Sequence, residues 1–374
     1  CGTRRRVVPG LALGRHKIAV RLSRWLRIGD MNRKELDVEG LATSQAAKPH
    51  APVPGRRTVA RRVEWWAYVY LLPAFVVVGT FHIFPVFYAF YVSLNTGAIN
   101  RFKFVGFENY IKALSGSDFW SSLVTTFTYA LLTMPVTMAL GLFFAYLLFQ
   151  RVRGVGAYRT IFFLPYVIST VGSSIVWAWI FNPSSGLANI ILQHLGIQPL
   201  RWLIEPSGVF QIIAQQLHVA IPGWVQGPSL ALVAIAIFSI WQTMGYDIVL
   251  FLAGLTNLPV ELYEAARIDG ANGVQLFRHI TIPLLAPTTF FVLVISVIGS
   301  LQAFNQIFAM NTAAAQTLGG PLGSTNTLTV YMFDQLYTYS NYGYASTVAF
   351  LLSLIILGLT LLNFKFFGRR GEQS

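Results

Sequence analysis

Glu261, Glu264, Arg267, Asp269, Arg278 and His279 crowd into one stretch, ELYEAARIDGANGVQLFRHITIPLL, set between two long apolar runs. Nothing around them suggests bond-making chemistry. The chain has no Ser-His-Asp type constellation, no metal-ligand cluster and no G-x-x-x-x-G-K-[ST] run to hold phosphates. Its histidines are scattered at His16, His50, His82, His194, His218 and His279. His82 lies in the first apolar run and reads as a packed or interfacial residue. The lone cysteine, Cys1, excludes an internal disulfide and a Cys-based metal site. The chain is therefore expected to be no enzyme, and the charged stretch is left with recognition.

A second set of polar side chains interrupts runs that are otherwise apolar. Gln242, Thr243, Tyr246 and Asp247 do so, with Gly245 giving access to backbone; Gln302, Asn305 and Gln306 do so further on; Tyr166, Ser169 and Thr170 do so earlier. Lipid does not tolerate such groups, so they face a bundle interior or a polar pathway. Amides, hydroxyls and aromatic rings suit a sugar, by hydrogen bonding and by stacking on its ring face. The plainer alternative is that they bond helix to helix. Asp247 lies near the inner edge of its run, where it reaches headgroups.

The elements that must position these residues follow from composition. The chain has 374 residues, 55% hydrophobic and 11% charged, where soluble domains carry about 25% charged residues. This is an all-α integral membrane protein. A helix needs about 20 mostly apolar residues to cross a bilayer, and six runs qualify: 67–93, 122–149, 160–181, 229–252, 284–308 and 344–366. The piece 209–221 is short for a span and reads as one of several short helices covering the outer mouth; were it to cross, the count would become seven and the orientation argument would fail downstream.

Net charge is +13, but its distribution is topological. Arg56, Arg57, Arg61 and Arg62 precede the first run, with Trp65 and Trp66 at its boundary, as at a membrane edge. Lys and Arg gather in the tail from Met31, in 150–159, in 253–283 and at the C-terminus. The opposite loops hold only Arg101, Lys103, Lys112 and Arg201. The positive-inside tendency puts both termini and the 253–283 loop in the cytoplasm. Residues 31–65 read as a flexible basic tail. Residues 1–30 read as an upstream or non-native extension, with Met31 the native start; the other reading is a basic amphipathic helix on anionic lipid.

The charged stretch is then a cytoplasmic helix pair. Pro259 suits a helix start. A helix over 259–268 sets Leu262, Ala265, Ala266 and Asp269 on one face, and its alanines permit close approach by another backbone. Asp269-Gly270 ends it, with glycine free to take positive φ. A second helix from 272 turns Leu276, Phe277 and Ile280 toward the membrane, and Pro283 limits the geometry where the fifth run begins. Either the charges simply face water in a linker, or the helix docks in the groove of a soluble partner.

Glu264-Ala265-Ala266, Asp269-Gly270-Ala271 and Ile280-Thr281-Ile282-Pro283 resemble the EAA loop of the inner-membrane permease subunits of ABC importers. GVGAYRTIFFLPYVIS, NPSSGLANIIL, WQTMGYDIVLFLAGL, LGGP and YGYASTVAFLL are similar to the sugar-permease branch, the maltose and glycerol-phosphate type. The resemblance covers 66–370, and two outer stretches, 209–228 and NTAAAQTLGGP, depart from the pattern. It implies a 66–370 permease domain of six transmembrane helices, with a coupling loop over 257–283 between the fourth and fifth. It implies a second permease subunit, usually different from the first, and an extracytoplasmic solute-binding protein. It also implies two ATPase subunits that hold the ATP and Mg. The setting is a bacterial or archaeal inner membrane. Coupling would rest on Glu264, Ala265, Ala266, Asp269, Gly270, Ala271 and Pro283, and the pathway on Tyr166, Ser169, Thr170, Thr243, Gly245, Asp247, Gln302 and Asn305. The competing class is an ion-coupled secondary transporter of small polar solutes, which would leave the EAA stretch unexplained. A membrane glycosyltransferase would need a carboxylate partner for Asp247.

Overall fold

The computed structural model describes residues 65–97, 101–150, 154–217, 219–220, 222, 225–314 and 318–367. The readings of 1–30 and of the tail up to residue 64 lie outside them. The chain divides into units 1–68 and 69–374, and nearly everything described here belongs to the second.

The helices, in chain order, are α1 (Trp65–Val78), α2 (Phe84–Ser93), α3 (Glu108–Ser115), α4 (Ser117–Phe149), α5 (Val155–Val167) and α6 (Thr170–Ile180). Then come α7 (Leu187–His194), α8 (Val209–Gln216), α9 (Leu230–Thr256), α10 (Val260–Ile268) and α11 (Gly273–Leu276). The last are α12 (Ile282–Leu284), α13 (Ala286–Leu301), α14 (Asn305–Ala313), α15 (Leu328–Tyr337) and α16 (Tyr342–Phe367). A π turn, Gly79–Ile83, joins α1 to α2, and another, Phe277–Thr281, joins α11 to α12. A two-stranded antiparallel sheet, β1 (Asn95–Thr96) with β2 (Lys103–Phe104), has no counterpart in the hydrophobic pattern.

Four of these stretches are long and apolar enough to cross a membrane unbroken: Tyr68–Ser93, Ser117–Phe149, Leu230–Thr256 and Tyr342–Lys365. They match four of the six expected spans. The other two are broken. The expected third span is α5 and α6 meeting at 93°, because Ile168 and Ser169 are extended or nearly so and Ser169 caps the new helix. The expected fifth span bends by 67° at Leu285 and ends at Leu301, and α14 restarts at Asn305. The count among the described residues is four, or up to six if each bent pair crosses once.

α9 is the central helix. Its apolar character runs around the whole circumference, as burial on all sides requires, and it packs against α4, α5 and α13. Small residues set these contacts. Gly141 of α4 lies against Asp247, Gly245 lies against the α5 backbone at Phe162, and Gly254 lies against Thr288 of α13. α4 buries its own polar groups: Thr126, Thr133 and Thr137 each donate to the carbonyl four residues earlier at 2.7–2.9 Å. A hydroxyl satisfied this way costs little where there is no water.

Three apolar clusters result. One holds Phe181, Leu203, Phe238, Ile307 and Val330. A second, toward the other end of α9, holds Leu148, Phe251, Leu255, Leu285 and Val292. The third joins Phe119 and Leu301 to Tyr344 and Val348 of α16. α8 spans only eight residues, about 12 Å of helix, far short of a bilayer. The 182–205 segment is ordered around Asn189. Its amide donates to the carbonyls of Pro183 and Leu200, and it accepts from the Leu200 N–H and the Trp202 indole, all at 2.8–3.0 Å.

Candidate functional site

The 260–284 segment is a helix, a tight reversal and a second helical turn. α10 ends at Asp269, and Gly270 takes φ +85°. The Ala271 N–H bonds the Ala266 carbonyl at 2.9 Å and the Gly270 N–H bonds Arg267 at 3.1 Å, so two otherwise orphaned carbonyls are satisfied. Asn272 then caps α11 reciprocally with Gln275, at 2.9 and 2.8 Å. Caps at both sides of Gly270 explain why a short charged stretch keeps one shape. The expected second helix is four residues of α-helix followed by the π turn, and Pro283 sits inside α12, just before the bend at Leu285.

Glu264, Ala265, Asp269, Gly270 and Pro283 are exposed; Ala266 and Ala271 are half-buried. Two concavities flank the helix. One of about 580 Å³ lies between α10 and the end of α4, lined by Tyr146, Phe149, Tyr263, Glu264 and Arg267 among others. A shallower one of about 370 Å³ is lined by Ala266, Asp269, Gly270, Ala271 and His279. The expected face carries Asp269 and Ala266 together into the second hollow.

The polar interruptions divide into two groups. Tyr166, Ser169, Thr243, Gln302 and Asn305 are exposed. Tyr166 stacks on Tyr246 with ring centres 4.7 Å apart, and the Gln242 amide donates to Thr170 at 3.1 Å, so the break between α5 and α6 is knit to α9. Ser169 accepts from the Gly172 N–H as the α6 cap, and Thr243 donates to the Ser239 carbonyl at 2.7 Å. Gln302 and Asn305 flank the break between α13 and α14.

Gly245 and Asp247 behave otherwise. The face of Gly245 is filled by the Phe162 carbonyl, so it does not offer open backbone to a ligand; it lets α5 and α9 touch. Asp247 is 4% exposed, lies against Gly141, and its Oδ2 has no hydrogen-bond partner. It is buried between helices and does not reach toward headgroups.

The sequence reading did not find two polar ties. The Gln306 amide donates to the Tyr129 hydroxyl at 3.0 Å, which donates to Ser239 at 2.7 Å. Tyr263 meets Thr281 at 2.9 Å. The signal for the second was present, since Tyr263 is the single aromatic residue of α10.

Residues 110–366 match the family model for the binding-protein-dependent transport system inner membrane component. A probable ABC transporter permease protein of Pyrococcus horikoshii is 34% identical over 307 residues, 82% of this chain and 96% of that one. The trehalose/maltose transport system permease protein MalF of Thermococcus litoralis is 33% identical over 300 residues, 80% of this chain and 92% of that one. The fold is similar to a chain of the crystal structure of a bacterial alginate ABC transporter in complex with an alginate pentasaccharide-bound periplasmic protein. The TM-score there is 0.65 and the identity 20%, covering 80% of this chain and 93% of that one. With the family model spanning most of the chain and relatives aligned nearly end to end, this protein belongs to the binding-protein-dependent transport system inner membrane components and is a multi-pass permease subunit of an ABC importer.

Proposed function

We propose that this permease imports a sugar or related polyol, and that α10 is the coupling helix on which a cytoplasmic ATPase subunit docks. The observation that carries the docking is the exposure of Glu264, Ala265 and Asp269 on a short helix capped at its end by Gly270. A rigid, exposed helix with alanines on one face fits a groove in a soluble partner. Ala266, Ala271 and Pro283 hold the loop's shape, and Glu264 contacts the ATPase surface.

In this reading 66–370 is the permease domain, 257–283 its coupling loop and 31–65 a cytoplasmic tail. Both termini lie in the cytoplasm, which the uneven Lys and Arg support. The working assembly pairs this chain with a different permease subunit, two ATPase subunits that hold ATP and Mg, and an outer solute-binding protein. Closure of the ATPases on ATP moves the docked helices and turns the pathway outward. Tyr166, Ser169, Thr170, Thr243, Gln302 and Asn305 contribute to that pathway, with Gly245 and Asp247 shaping it from between the helices. A sugar is favoured by the hydroxyl, amide and aromatic chemistry of these residues. It is favoured also by the trehalose and maltose in the name of one relative.

Affinity purification from mild detergent tests the docking. The unaltered chain is expected to bring down an ATPase subunit, and Gly270→Pro to lose it, because proline cannot take φ +85° or give the N–H bonded to Arg267. A well-folded, unaltered chain that brings down no ATPase would overturn the docking. A co-purified binding protein, screened against sugars and polyols, then gives the substrate.

A further inference from the structure

Tyr263 is the one buried residue of α10; the rest of the helix is exposed apart from half-buried Ala266. Its hydroxyl lies 2.9 Å from Oγ1 of Thr281, which is fully buried. The Thr281 hydroxyl also lies within donating reach of the Leu276 carbonyl, 3.2 Å away, and either hydroxyl can give the proton of the bond to Tyr263. A threonine in a regular helix reaches a carbonyl three or four residues back. Here the reach is five, and the π turn Phe277–Thr281 makes it. The widened turn aims the Thr281 oxygen at α10.

The same tyrosine faces the end of α4. Its ring centre is 6.1 Å from that of Phe149, and beside it Tyr146 packs on Phe277 of the π turn at 4.6 Å. Three elements converge on one phenol: the exposed helix, the end of α4, and the turn that leads into α12.

We propose that Tyr263 is a positioning residue that makes α10 move as one body with the end of α4 and the π turn, through its hydrogen bond to Thr281. This rests on the docking reading above. Ring contacts resist separation but permit sliding, whereas a hydrogen bond also fixes direction. Without the hydroxyl, α10 stays docked on its ATPase and slips against the membrane body when the ATPase closes.

Spin labels on Ile268→Cys and Leu147→Cys, in a Cys1→Ser background, read this slip directly. Ile268 is 86% and Leu147 41% exposed, so both accept a label without repacking. Distances are recorded on the complex with its co-purified ATPase, without nucleotide and trapped with ATP and vanadate. The unaltered protein is expected to keep one narrow distribution in both states. Tyr263→Phe, which keeps the ring, and Thr281→Val, which keeps the shape, are each expected to retain the ATPase and broaden the trapped distribution about two-fold. The double variant is expected to be no broader than Thr281→Val, which already lacks the Tyr263 bond as well as the bond to the Leu276 carbonyl. Unchanged widths in the single variants with the ATPase bound would overturn the role of Tyr263 and leave the docking standing, as would a double variant broader than Thr281→Val. Absence of the ATPase from the unaltered complex would overturn the docking reading itself.

Discussion

Gly245 of α9 and Phe162 of α5 meet backbone to backbone: a Cβ on Gly245 would lie 1.9 Å from the Phe162 carbonyl oxygen. No side-chain rotation relieves such a contact, because the obstacle is main chain. Gly141 and Asp247 repeat the arrangement between α4 and α9, with a built Cβ 2.7 Å from the Asp247 Cβ. Close helix approach through small residues is how membrane helices gain packing when lipid is as apolar as the side chains.

Gly245→Ala and Gly141→Ala are expected to lower the apparent melting temperature in detergent, each by an amount equivalent to about 1–3 kcal/mol of overpacking. Gly299→Ala and Gly358→Ala serve as controls. Nothing lies within 4 Å of a Cβ at either position, so they should be neutral or gain up to about 1 kcal/mol from helix propensity. Equal melting of all four variants would mean that α9 does not pack as described.

Gly270 needs its conformation, not its space. It has φ +85°, with nothing within 4 Å of a built Cβ. Gly270→Ala is expected to cost about 1 kcal/mol of local stability and Gly270→Asn less, since asparagine visits this region more readily. Hydrogen exchange at the Ala271 amide, bonded to the Ala266 carbonyl, should quicken in the order Gly, Asn, Ala.

Tyr129 ties three helices with one oxygen, accepting from Gln306 of α14 and donating to Ser239 of α9. Tyr129→Phe is expected to cost about 1 kcal/mol, the usual scale of an interhelical hydrogen bond. Combined with Ser239→Ala, the loss should be smaller than the sum of the two single losses, because both remove the same bond. Full additivity of the melting shifts would argue against the tie.

Gln242 is 5% exposed and donates to Thr170 across the break between α5 and α6. Thr170→Val leaves that amide without its acceptor, at about 1–3 kcal/mol. Gln242→Met added to Thr170→Val should recover most of the loss, since no buried donor is then left unpaired. A double variant less stable than Thr170→Val would show that Gln242 has another essential partner.

The amino-acid sequence by itself determined what depends on local runs and local backbone demands. Apolar length marked the four unbroken spans near their observed limits, because burial in a bilayer requires about 20 apolar residues wherever they sit. Asp269-Gly270 marked the end of α10, since a positive φ at that point favours glycine in any context. The Glu264-Ala265-Ala266 and Asp269-Gly270-Ala271 spacing carried the family resemblance that the relatives bear out. Tertiary structure alone decided the rest. The 93° break at Ile168–Ser169 lies inside an apolar run whose length alone reads as one span, and Thr170 just beyond it bonds Gln242, 72 residues away. Gly245 looked like an opening until Phe162 filled it, and Asp247 looked peripheral until Gly141 covered it. The Tyr263–Thr281 bond joins α10 to the π turn before α12 across 18 residues. Spacing along one helix does not encode which side chain waits on another. That is set when the helices pack, by which surfaces are small enough to touch and which polar groups must find a partner away from water.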